Sequence, residues 1–176
     1  MAESVRHLNK LGIEAAPVDL ESEELPYASA TFDLVVSNQT YEHLKNIFWC
    51  TSEVCRVLKP GGYLLIGVPN LASFHCSLPL LLARQPRQIK THGPHARGFT
   101  IAGVKDLILS DKYFDFIKMK GSGFYPLPQK GAKIAARLLP IYAVSIFCLF
   151  RRTSKCSSFI EDFRSSYHYE TSYFLG

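Results

Sequence analysis

The stretch FDLVVSNQTYEHL (residues 32–44) decides how the chain is read. Val35 and Val36 sit in a continuous apolar run of the kind that forms a strand buried on both faces. Ser37, Asn38 and Gln39 break that run, and Glu42, His43 and Leu44 open a new periodic segment. A buried strand that stops in polar residues and leads at once into a helix is half of a βαβ unit. In open parallel sheets, ligands sit just beyond such carboxyl ends.

Outward from this stretch the alternation continues. Leu44, Ile47, Phe48, Thr51, Val54, Cys55 and Leu58 recur at three- and four-residue steps, which predicts a helix with one stripe facing a core. Lys59, Pro60, Gly61 and Gly62 end it, and YLLIGVPN (63–70) reads as the next strand. Upstream, Val5, Leu8 and Leu11 have helical spacing before Gly12, IEAAPVDL (13–20) reads as a strand, and an acidic, turn-rich connection follows. The order helix, strand, connection, strand, helix, strand predicts an α/β fold with a parallel sheet and helices on both faces. Past Asn70 the pattern predicts a helix near 72–83, a polar loop, a helix over 101–110 capped by Thr100, a strand over 113–121, a helix over 132–139 and a strand over 141–150. From Thr153 the residues mix without period. The expected division is therefore a domain over 1–152 and a poorly ordered tail over 153–176.

Composition narrows the function classes. The chain has 176 residues, enough for one domain with its own core, and its 47% apolar and 20% charged content is that of a soluble globular protein. The formal charge is +5, but clusters such as Arg151-Arg152 or Arg84 with Arg87 are too short for nucleic acid. Weak attraction to an anionic membrane surface or to acidic substrates is compatible with it. The five cysteines lack C-x-x-C spacing and several fall in apolar segments, so they read as reduced core residues of a cytoplasmic protein. MAESVRHLNK is too polar for a secretory signal. The apolar segments 71–83 and 141–150 are too short or interrupted for the roughly 20 residues of a spanning helix, although either can touch a bilayer surface.

Three strand ends carry candidate ligand-binding residues: Asp19 with Leu20, Ser37-Asn38-Gln39, and Pro69 with Asn70. A carboxylate there can accept from a purine amino group or sugar hydroxyls, and an amide can hold a small polar ligand against a dry floor. Asp19 can equally do no more than cap a turn.

The block from Asp19 to Asn70, with E-E-L-P-Y-A-S-A-T-F-D-L-V-V-S-N, then Y-E-H-L, then E-V-C-R-V-L-K-P-G-G-Y-L-L-I-G-V-P-N, resembles the middle of a class I S-adenosylmethionine-dependent methyltransferase. The likeness is to the small-molecule type related to ubiquinone-biosynthesis methyltransferases. It implies a Rossmann-like sheet and S-adenosylmethionine as cofactor. It also implies Asp19 at the adenine amino group with Leu20 as a backbone contact, and Ser37, Asn38 and Gln39 along the methionine part. More weakly, it extends over residues 2–152 through H-A-R-G-F-T (95–100). The family's opening strand, G-x-G-x-G loop, helix and second strand have no counterpart before Gly12. The resemblance thus implies an N-terminally truncated methyltransferase, with Met1 an internal methionine of a longer frame and the strand 13–20 deprived of its neighbours. Either 13–20 then pairs directly with 32–38, or an apolar edge stays open as an aggregation hazard.

Methyl transfer needs alignment above all, with a general base where the acceptor must lose a proton. His43 is the candidate catalytic base; the competing reading is a helix-start histidine with only local bonds. His95 and Arg97 are candidates to close over an anionic substrate, against the alternative of a surface loop without a role. His92 and His95 have H-x-x-H spacing but no neighbouring carboxylate or thiol, so no metal is expected. Trp49, Phe114 and Phe116 read as core. The expected function is methyl transfer to a small quinone-like, lipid or sugar-derived acceptor, with no nucleic-acid or specific protein partner. Its rivals are a non-catalytic fragment or interaction module that keeps the core, and a nucleotide-binding reductase, which the absence of a dinucleotide fingerprint disfavours.

Overall fold

The computed structural model describes residues 2–166. Within them lie α1 (Ala2–Lys10), β1 (Phe32–Asn38), α2 (Ile47–Val57), β2 (Leu58–Pro69), α3 (Phe74–Leu81), α4 (Ile101–Ile108), β3 (Phe114–Ser122), α5 (Gln129–Leu138), β4 (Ser145–Arg152) and α6 (Phe159–Ser166). The strands form one sheet in the order β1-β2-β4-β3. The expected Rossmann-like α/β architecture is present, with one qualification: β1 and β2 are parallel, while β4 runs antiparallel to both β2 and β3. The return from β3 to β4 carries α5. It packs so closely on the strand that a Cβ at Gly121 would lie 3.0 Å from the Ala136 carbonyl oxygen.

Side chains alternate across the sheet. Val35 of β1, Leu64, Ile66 and Val68 of β2, and Ile146, Cys148 and Phe150 of β4 join one core with Cys50, Val54 and Cys55 of α2 and Val104, Leu107 and Ile108 of α4. Phe114 is buried there and Phe116 packs against it, while Trp49 is half-buried with its indole N–H donating to the Glu23 carbonyl, 3.1 Å away. On the opposite face Leu34, Val36 and Tyr63 are exposed.

Local chemistry sets the element ends. Asn46 caps α2, its Oδ1 accepting from the Trp49 N–H at 3.2 Å, so this helix starts at Ile47. The expected start near Leu44 gives way to a turn in which the His43 N–H donates to the Thr40 carbonyl. Thr100 caps α4 through the Gly103 N–H, as its position predicted. Residues 59–62 are an excursion inside β2, where pairing jumps from Phe32 with Leu58 to Leu34 with Tyr63. Gly61 has φ +83°, and a Cβ at Gly62 would meet the Lys59 carbonyl oxygen at 2.9 Å, so both positions require glycine.

Two expectations fail. Residues 13–20 form no strand: they do not pair with β1, whose outer edge is left without a neighbour among the described residues. An isolated extended segment interrupted by Pro17 has no ladder to join, and its apolar content alone cannot make it a strand. The poorly ordered tail is also contradicted in its first part. Phe159 and Phe163 of α6 are buried, with Phe163 4.4 Å from the Phe48 ring and Phe159 5.3 Å from the Tyr113 ring. Residues 167–176 lie outside the described residues.

Candidate functional site

β1 leaves the sheet through a strained turn. Gln39 has φ +54°, a left-handed conformation that non-glycine residues seldom adopt, and its N–H donates to the Gly67 carbonyl at 2.8 Å. Beside this turn lies a cleft of about 200 Å³ whose lining includes Leu20, Leu25, Val35, Ser37, Thr40 and Tyr41. Glu23 and Glu53 share its wall with these residues, and Glu53 is paired with Arg56 at 2.7 Å. Burial drives the Tyr41 hydroxyl well above its ordinary pKa and pushes the Cys50 thiol up to about 11. Asn38 is exposed at the strand end, its Oδ1 over Gly67, where a Cβ would come within 2.7 Å of it.

The other strand-end candidates divide. Leu20 lines the cleft, whereas the Asp19 carboxylate closes its own turn, accepting from the Glu21 N–H at 2.9 Å and from the Ser22 hydroxyl at 2.7 Å. These two bonds, the backbone one first, hold the Asp19 carboxyl below its usual range. Asn70 is a structural knot: its amide donates to the carbonyls of Ile141 and Ala143 and accepts from the Ala72 N–H.

The polar loop 84–98 folds back onto the turn after β1. The Ala96 and Arg97 N–H groups donate to the Glu42 carbonyl at 2.7 and 3.3 Å. His43 Nδ1 lies 3.1 Å from the Pro94 carbonyl oxygen, and His95 Nδ1 lies 2.7 Å from that of Gln88. His43 and His95 meet edge to face, with ring centroids 4.8 Å apart. The structure therefore brings together His43 and His95, which stand 52 positions apart in sequence. Arg97 is close by, but its guanidinium donates to the Leu44 and Lys45 carbonyls, and desolvation lowers its pKa. It holds the loop to the turn. His92 is exposed and stands apart, so the H-x-x-H spacing does not gather its two imidazoles into one cluster. Sequence reasoning missed Glu42, which is buried beside both rings with Oε1 4.0 Å from His43 Nε2. Its burial comes from the loop fifty residues away, and no local pattern signals it.

Comparison with known proteins bears on this geometry. Residues 1–66 match the family model described as a methyltransferase domain. A protein of Mycolicibacterium smegmatis, described as a probable S-adenosylmethionine-dependent methyltransferase, is 45% identical over 51 residues, which is 29% of this chain and 20% of that protein. The chain thus spans a fifth of that relative's length. Among solved structures, an S-adenosylmethionine-dependent methyltransferase of Thermotoga maritima aligns over 86% of this chain and 70% of its own, with 16% identity and a TM-score of 0.60. One from Mesorhizobium loti aligns over 86% and 77%, with 15% identity and a TM-score of 0.58. The [4+2]-cyclase SpnF aligns over 88% and 61%, with 15% identity and a TM-score of 0.53. The fold is that of class I S-adenosylmethionine-dependent methyltransferases, a scaffold that the cyclase shows to be compatible with other chemistry.

Proposed function

We propose that this chain is a methyltransferase unit that binds S-adenosylmethionine at the carboxyl end of β1 and serves a small-molecule acceptor. One observation carries the reading. The strained Gln39 turn, the cleft behind it and the paired imidazoles of His43 and His95 all converge at the strand end where open α/β sheets bind ligands. The family match over residues 1–66 supports it.

The cleft suits one ring system. Its volume of about 200 Å³ is below the roughly 300–1,000 Å³ of clefts that bury a whole small ligand. Leu20, Leu25 and Val35 supply apolar walls for the adenine, Ser37 a polar rim, and Asn38 and Gln39 face the methionine side. Each Asp19 oxygen already accepts one bond and keeps a second lone pair for an amino group. The bound cofactor supplies an activated methyl group, and the protein's part is to align the acceptor and exclude water. His43 Nδ1 faces a carbonyl that can only accept, so in the neutral ring Nε2 holds the lone pair that can take the acceptor's proton. His95 flanks that path, and Arg97 fixes the loop.

Among quinone-like, lipid and sugar-derived acceptors, exposed apolar side chains favour the hydrophobic ones. Leu78 and Leu81 of α3 and Ile134 and Leu138 of α5 are exposed. Phe74 of α3 stacks on Tyr142, in the turn that follows α5, at 5.0 Å. Lys130, Lys133 and Arg137 of α5 add positive charge, which suits weak contact with an anionic membrane surface. No helix among the described residues is long and apolar enough to cross a membrane. Four buried, free cysteines suit a reducing, cytoplasmic setting.

The second reading, an interaction module without cofactor binding, draws on the small cleft and on the engagement of Asp19 in its own turn. Calorimetric titration of S-adenosylhomocysteine into the folded chain separates the two. Micromolar binding, about −8 kcal/mol, weakened in Asp19→Ala, is expected; a folded sample that gives no heat favours the interaction module.

A further inference from the structure

We propose that Glu42, His43 and His95 form a binding site for a zinc-like divalent transition-metal ion, with coordination positions left open for an oxygen ligand. The first support is Glu42 itself. It is 2% exposed, and neither carboxylate oxygen has a hydrogen-bond partner among the described residues. A buried carboxylate without a partner is costly, and a cation beside it removes the cost. The second is proximity: one ligand atom from each of the three residues can be chosen so that all lie within 4.8 Å of one another, and His43 Nε2 is 4.0 Å from Glu42 Oε1.

The third support is the tautomer of each ring. The Pro94 and Gln88 carbonyls can only accept, so the Nδ1 atoms facing them at 3.1 and 2.7 Å carry the protons. In the neutral form of each ring, Nε2 is then the atom that offers a lone pair. Metal-ligating histidines are held in the same way, with the second ring nitrogen donating to a carbonyl or carboxylate. The framework is fixed as well, because the Glu42 carbonyl accepts from the Ala96 and Arg97 N–H groups.

Two imidazoles and one carboxylate suit zinc and its neighbours; magnesium and calcium favour all-oxygen sets. Zinc ligands at about 2.0–2.1 Å stand about 3.4 Å apart in a tetrahedral site. The observed separations are longer, so loading would draw the three side chains together, and the His43 side chain, 43% exposed, has room to turn and leaves an entry path. In the loaded site His43 is a ligand and no longer a base. An acceptor hydroxyl on the open position would release its proton to solvent at lower pH than when free. That consequence, which narrows the acceptor to an alcohol or phenol, rests on the methyl-transfer reading; metal binding does not.

The test uses the full chain carrying Cys156→Ser, which removes the exposed thiol as a rival ligand. Calorimetry with Zn²⁺ is expected to show one ion per chain and a raised Tm, and Co²⁺ to give visible absorption bands. Loss of a second-shell partner costs about 10–100-fold in affinity, so Glu42→Gln should weaken Zn²⁺ binding by about 100-fold or more. Without metal, that variant should melt no lower than its parent. His95→Ala should lose the Co²⁺ bands, and His92→Ala, on the exposed loop, should bind like the parent. A folded chain that takes up no Zn²⁺, uptake that survives both Glu42→Gln and His95→Ala, or uptake lost in His92→Ala would overturn the proposal. Titration of S-adenosylhomocysteine without metal tests the methyl-transfer reading separately, so either can fail alone.

Discussion

Asn70 shows how one side chain can hold several segments. It is fully buried, donates at 2.7 and 2.9 Å to the Ile141 and Ala143 carbonyls, and accepts from the Ala72 N–H at 3.0 Å. It thereby joins the end of β2 to the approach to β4 and to the start of α3. Asn70→Ala leaves buried carbonyls without a donor, and each such loss costs about 1–3 kcal/mol. Urea denaturation should show a drop in that range or above it, and a change within experimental error would remove Asn70 from this role. Thiol chemistry gives a second check on single residues. Cys50, Cys55, Cys76 and Cys148 are buried, with burial pushing the Cys50 and Cys148 thiols up to about 11, whereas Cys156 is exposed. A disulfide reagent at neutral pH should therefore modify one thiol quickly in the folded chain, and the other four only on unfolding. At this scale the sequence marked positions better than roles. Ser37 and Leu20 line the cleft, but Asn70 is structural, and Glu42 gained its place from a loop that closes over it from residues 94–97.

Among the elements, α6 depends on a polar clasp as well as on its two phenylalanines. Asp162 accepts from Lys155 Nζ at 2.6 Å, from the Ser157 hydroxyl at 2.7 Å and from the Tyr113 hydroxyl at 2.8 Å. These bonds, Lys155 first, hold its carboxyl down to about 2. A depressed carboxylate stabilises the fold fully above its unfolded pKa of about 3.9. That contribution fades as pH falls through the folded value. Amide protection across residues 159–166, taken relative to the intrinsic exchange rate at each pH, should thus hold down to about pH 4 and fall towards pH 2. Asp162→Asn should exchange faster already at neutral pH and lose this acid dependence; an Asp162→Asn profile that overlays the parent's would refute the clasp. The sequence did not reveal this helix, because three apolar residues in eight, Phe159, Ile160 and Phe163, make too short a period to detect. β1, α2 and β2 were legible for the opposite reason. Continuous apolar runs and a stripe at three- and four-residue steps are local signals, and the core they form is local too. Residues 13–20 carried a similar run, but a strand also needs a partner, and pairing is not written in the segment itself.

For the molecule as a whole, the uncovered side of β1 is the dominant unsolved interaction. The sheet ends at this strand, so one row of its N–H and C=O groups has no strand beside it among the described residues. On the face opposite the main core, Leu34 and Val36 are 51% and 57% exposed, with Tyr63 of β2 next to them. An open edge beside an apolar strip is a template for pairing with another chain. The ion pair of Lys59 with Asp33, at 2.9 Å, guards the start of the edge, but an exposed pair contributes at most about 1 kcal/mol. The strip beyond it carries no charge until the polar strand end at Ser37 and Asn38. A charge placed mid-strip would be tolerated in the monomer, because Val36 already faces solvent, and would be buried at a cost in any edge-to-edge pair. Val36→Lys should therefore leave the melting temperature of a dilute sample nearly unchanged, within the roughly 0.5 kcal/mol expected of surface substitutions. The same variant should show less growth of apparent mass with concentration in light scattering than the parent. Equal growth in both would locate self-association elsewhere, with the exposed leucines of α3 and α5 the next surface to substitute.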